Sequence, residues 1–117
     1  MTKVKVRAGD IKTGIKNAAK YDLQQHALAP DDRSECYPCM VELALRRLVK
    51  DDVRIEVEFC SVSLERLNRA GLSLQHHDLP SSVSQKVRRH DAIAAGQKRT
   101  PIKPFEFELD IPTEFLK

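Results

Sequence analysis

Residues 39–59 read CMVELALRRLVKDDVRIEVEF, and the spacing of the apolar positions changes from helical to extended within them. Val41, Ala44, Leu45 and Leu48 fall at i, i+3, i+4 and i+7, one stripe of an α-helix, with Met40 and Leu43 flanking it and Glu42, Arg46 and Arg47 outside. Glu42 and Arg46 stand four apart in the favourable order. Pro38 suits the first turn, where its missing N–H costs nothing, and the helix is expected to end by Lys50. Val53, Ile55, Val57 and Phe59 then alternate with Arg54, Glu56 and Glu58, the pattern of a strand with one buried and one wet face.

Toward the N-terminus, Val4, Lys5, Val6, Arg7 and Ala8 alternate as a short strand. Asp10 is placed as an N-cap, and Ile11, Ile15 and Ala18 predict a helix over residues 10–20 despite Gly14. Periodicity is lost over residues 21–35, where Ala29-Pro30-Asp31-Asp32-Arg33-Ser34 carries turn residues, so an exposed loop is expected.

Toward the C-terminus, the apolar phase shifts after Cys60-Ser61 to Val62 and Leu64, suggesting a bulge or turn before LERLNRAG. Leu72 and Leu74 give a weaker strand. Asp78-Leu79-Pro80-Ser81-Ser82 starts a helix with Val83, Val87 and Ala94 on its apolar side, and Gly96 stops it. Lys86, Arg88, Arg89 and His90 are expected on its solvent side. Phe105, Phe107, Leu109 and Ile111 alternate with Glu106, Glu108 and Asp110 between Pro104 and Pro112, a closing strand with an acidic outer face. The order predicts a single α+β domain over residues 1–117, with a largely antiparallel sheet of about four strands and two to three helices on one face.

At 117 residues the chain suffices for one modest core. Tryptophan is absent and aromatics make up 5%, so that core must be aliphatic. No apolar run is long enough to span a bilayer, and the opening MTKVKVRAGD has no apolar stretch after its basic residues, so no membrane contact and a cytoplasmic location are expected. Three cysteines do not pair into a disulfide framework. The net charge of +3 falls short of a dedicated nucleic-acid binder.

Three stretches together resemble a set of small proteins encoded by phages and prophages. Those proteins carry an opening strand with I..GI, a helix of the form C-x-x-C-P-V-A-L-A-L and a closing P-F-x-F-x-L. The matching residues are Ile11, Gly14 and Ile15, then Cys36, Cys39, Val41, Leu43, Ala44 and Leu45, and last Pro104, Phe105, Phe107 and Leu109. Met40 stands where the set has proline and Glu42 where it has alanine. The resemblance implies a phage-related origin, one compact domain and no agreed activity. By analogy with small phage accessory proteins, it implies a non-enzymatic protein in the cytoplasm of a bacterial host. Such a protein binds and modulates or inhibits a host protein or protein complex, host-defence components such as CRISPR effectors among them.

Cys36-Tyr37-Pro38-Cys39 opens the central helix where a thiolate is stabilised, so a thiol-active module is an alternative. The strand that leads into such a pair in thioredoxin-like folds is missing before it. Zinc would need further ligands, for which Cys60 and His76 are the candidates beside Cys36 and Cys39, with no second C-x-x-C to support them. The plainer reading buries Cys39 under the helix as a small apolar group and requires no cofactor. No nucleophile motif, phosphate loop or carboxylate pair points to an enzyme. The basic side chains Lys86, Arg88, Arg89, Lys98 and Arg99 form one candidate contact region, able to meet an acidic protein or, as a second alternative, nucleic acid. Glu106, Glu108 and Asp110 form another, an acidic row that could imitate a phosphate backbone.

Overall fold

A computed structural model of the chain describes residues 1–26, 39–58, 60–68 and 71–117. Strand β1 (Thr2–Val6) leads into α1 (Ala8–His26). Then follow α2 (Met40–Arg46), β2 (Arg54–Val57), β3 (Ser61–Asn68), β4 (Gly71–Asp78), α3 (Ser81–Ala94) and β5 (Phe105–Leu109), and a 3-10 turn at Thr113–Phe115 follows them. The fold is α+β, with three helices among the described residues and every strand pairing antiparallel.

The expected sheet divides into two. Among the described residues β1 and β5 pair only with each other, Val4 opposite Phe107 and Val6 opposite Phe105, while β2, β3 and β4 form a meander. Alternation shows that a segment is a strand and which face is apolar, but not its partner. The phase shift at Cys60-Ser61 is the β2–β3 turn, closed by the Glu58 N–H donating to the Ser61 carbonyl at 2.8 Å, with Val57 opposite Val62 beyond it. The turn thus lies before LERLNRAG as expected, and Leu64 to Asn68 continue β3.

Helix α1 begins two residues before the expected start and runs to His26, so the loop placed over residues 21–35 is corrected for its first six residues. Residues 27–35 of that loop lie outside the described residues. Asp10 is not the N-cap. Its Oδ2 accepts from the Arg7 N–H at 2.8 Å from the third helical position, half of a capping box. Gly14 sits inside α1 because neighbours press on it. A Cβ there would lie 2.6 Å from His90 Nε2 and 2.7 Å from the Met40 N.

Helix α2 touches both sheets through β1 and β2, and α1 packs on α2 and α3. Met40, Val41, Ala44 and Leu45 of α2 are buried with Val4, Val6, Ile55, Val62, Leu64, Phe107 and Leu109. Helix α3 ends as expected. The Gly96 N–H donates to the Ile93 carbonyl and the Gln97 N–H to the Ala92 carbonyl, a Schellman closure that needs the positive φ of 88° at Gly96. His90, expected on the solvent side, is fully buried, because it continues the stripe of Val83 and Val87 at helical spacing. No helix among the described residues is long and apolar enough to cross a membrane.

Candidate interaction surface

Gln85, Arg88, Arg89 and Ala92 lie at i, i+3, i+4 and i+7 along α3 and so share one side of it. Gly96 turns the chain back, and Arg99 joins them to line a groove of about 230 Å³. Arg88 and Arg99 are exposed along this groove and Arg89 is half-buried. Arg99 Nη2 donates to Gln97 Oε1 at 3.1 Å. Arg89 Nε is buried without a hydrogen-bond partner among the described residues, and no carboxylate lines the groove. Three of the five basic residues proposed from sequence are thus brought together. Lys86 is not among them: its ammonium stands 5.2 Å from the centre of the Phe105 ring and turns toward β5. Lys98 is exposed and does not line the groove.

The acidic row is balanced by its neighbour strand. Glu106 stands opposite Lys5 and Glu108 opposite Lys3, and Lys3 Nζ lies 3.8 Å from Glu106 Oε1. Glu106 and Glu108 therefore each have a lysine across the ladder. Asp110 is exposed just past the end of β5.

Three of the four leucines in the hairpin of β3 and β4 lie on the wrong side for a core. Val62 and Leu64 are fully buried, and the residues opposite them are His77 and Gln75. Leu72 and Leu74 consequently share the outer face with Leu67, which is directly opposite Leu72, and the three are 74% (Leu67), 60% (Leu72) and 59% (Leu74) exposed. Reading Leu72 and Leu74 as a strand did not reveal this, because the outward direction is imposed by β3. The signal lay in pairing LSLQHHD with SVSLER in register, which puts the two apolar sets on opposite faces.

The central cysteine is built into the packing. Cys39 is buried at the start of α2, and that burial pushes its thiol up to about 11, the reverse of what a reactive thiolate requires. Cys36 lies outside the described residues, and Cys60 is exposed. His76 is also exposed, with Nδ1 3.1 Å from Ser63 Oγ. Among the described residues no three His, Cys, Asp or Glu side chains are grouped to hold a metal ion.

Arg46 and Arg47, read from sequence as the wet side of α2, are structural. Arg46 Nη2 donates to the carbonyls of Lys50 at 2.9 Å and Val53 at 2.6 Å, fastening the turn into β2. Arg47 grips the buried Asp10 with two parallel bonds of 2.5 and 2.7 Å and reaches the Lys5 carbonyl at 3.0 Å. This guanidinium holds the Asp10 carboxyl below its ordinary range, against the opposing effect of burial.

A small α+β domain with an arginine groove and an outward-facing leucine hairpin is what the geometry defines. No protein-family model, curated protein or solved structure matches the chain.

Proposed function

We propose that the chain is a small phage or prophage accessory protein that binds an acidic surface of a host protein through the arginine groove of α3 and so modulates or inhibits it. The observation that carries this reading is the groove lined by Arg88, Arg89 and Arg99, with no carboxylate among its lining residues. A carboxylate entering the groove meets the exposed guanidinium groups of Arg88 and Arg99 with charge-assisted bonds. The planar guanidinium suits such a partner better than an ammonium does. Host-defence components are the partner class that the resemblance of the cysteine-led helix and the closing PFEFEL suggests.

A protein is favoured over nucleic acid for two reasons. The groove has no aromatic lining on which bases could stack, and the Lys3/Lys5 and Glu106/Glu108 face is electrically balanced, so no continuous basic track leads away along it. The test is capture from host lysate with the wild-type chain and with an R89E/R99E double variant of matched circular dichroism, read by mass spectrometry. A host protein retained by the wild type and lost by the variant is expected. Identical captures from both, or retention of nucleic acid alone, would remove the reading.

A further inference from the structure

Among the described residues, the order β2-β3-β4 leaves β4 at an edge, with β3 as its one paired neighbour. Free edges in soluble proteins are usually guarded by charge, proline, bulges or shortness. The other free edges here are guarded in that way. β2 has four residues and exposes Arg54 and Glu56, β1 exposes Lys3 and Lys5, and β5 exposes Glu106 and Glu108 and lies between Pro104 and Pro112. β4 has none of these guards. It is eight residues long, pairs with β3 in continuous register, and contains neither proline nor a charged residue before Asp78 at its very end.

We infer that β4 is a self-association edge, on which a second copy of this chain adds its own β4 antiparallel, joining two three-stranded sheets into one of six strands. The choice of occupant comes from the strand's compatibility with itself. With Leu74 opposite its own symmetry mate, Ser73 meets Gln75, Leu72 meets His76 and Gly71 meets His77 of the second copy. In that register no charged residue faces another, since Asp78 falls beyond Gly71 of the mate. Shifting the centre to Gln75 sets the carboxylate of Asp78 against the apolar side chain of Leu72. Because residues 72, 74 and 76 share a face, the leucines of both copies come together on one side of the seam, and Leu67 extends that strip from β3. The surface is self-complementary about a two-fold axis, as a closed dimer requires.

Sedimentation equilibrium over a concentration series, with the wild type, L74K and R89E/R99E, tests this inference independently of the arginine groove. The wild type should pass from monomer to dimer mass with concentration. L74K should stay monomeric while keeping its circular dichroism and melting temperature, since residue 74 is exposed. R89E/R99E should dimerise as the wild type does. A wild-type chain that stays monomeric up to its solubility limit overturns the inference, as does an L74K variant that still dimerises. Flotation of a monomeric wild type with phosphatidylcholine or phosphatidylglycerol vesicles would instead assign the leucines to a lipid surface and also overturn it.

Discussion

Asp10 and Arg47 join the first turn of α1 to the end of α2, two elements that touch nowhere in sequence. The carboxylate is 9% exposed and the guanidinium 37%, so the pair is only partly screened, and the bonds to the Arg7 N–H and the Lys5 carbonyl satisfy further lone pairs and protons around it. Replacing Asp10 by Asn keeps the shape but removes the charge. After discounting for the solvent around Arg47, the loss at neutral pH should be about 1–2 kcal/mol. The pH dependence has a definite sign. The folded carboxyl lies below its ordinary value of 3.8, so its stabilisation is in full force above that value and is lost as pH falls through the folded one. Urea midpoints measured at about pH 7, 5 and 3 should therefore fall more steeply for the wild type than for D10N across the acid end, and the two curves should converge there. Parallel curves would show that Asp10 is not the group that titrates. Reading Asp10 as a helix-start residue was legible in the sequence. Its partner was not, because an i, i+3 pattern describes one helix and cannot point to a guanidinium on another.

At the scale of elements, α2 has seven residues, well short of the length at which a helix holds by itself in water. It persists because its buried side packs on both sheets and because the chain end clasps the segment after it. Val49 bridges Leu116, the Lys50 N–H donates to the Phe115 carbonyl at 2.8 Å, and the Lys117 N–H donates to the Leu48 carbonyl at 2.9 Å. Arg66 of β3 adds a bond to the Glu114 carbonyl at 2.7 Å and one to Asp52 at 3.0 Å. Phe115, fully buried, is among the largest side chains of the core. Phe115→Ala should cost about 3–5 kcal/mol, near the total stability of many small domains, and thermal unfolding followed by circular dichroism should show a broad, early transition. A sharp transition near the wild-type temperature would mean that the C-terminal clasp is peripheral. The sequence announced α3, the closing strand and α1 as far as Lys20, since their periodicity depends on local geometry. It did not announce Phe115, whose neighbours Thr113, Glu114 and Lys117 make no apolar pattern, nor Gly14, which reads as a defect in a helix until His90 and Met40 are seen against it.

For the molecule as a whole, the two proposed surfaces have a joint consequence that neither has alone. A dimer joined at β4 presents two arginine grooves, and on a surface dense in carboxylates the second groove binds at an effective concentration set by the first. Each groove gains only a modest amount from exposed charges, which salt weakens, so a monomer should dissociate quickly. Two grooves held together can raise overall affinity by about 10²–10⁴ where their spacing lets both engage. Immobilised poly-glutamate offers carboxylates at every spacing and removes that geometric demand. The wild type above its dimerisation range should leave such a surface far more slowly than L74K, and added salt should shrink the difference between them. R89E/R99E should not be retained at any salt concentration. Equal dissociation of the wild type and L74K, once the wild type has been shown to dimerise, would mean that the grooves act singly, and retention of R89E/R99E would place the acidic contact elsewhere on the molecule.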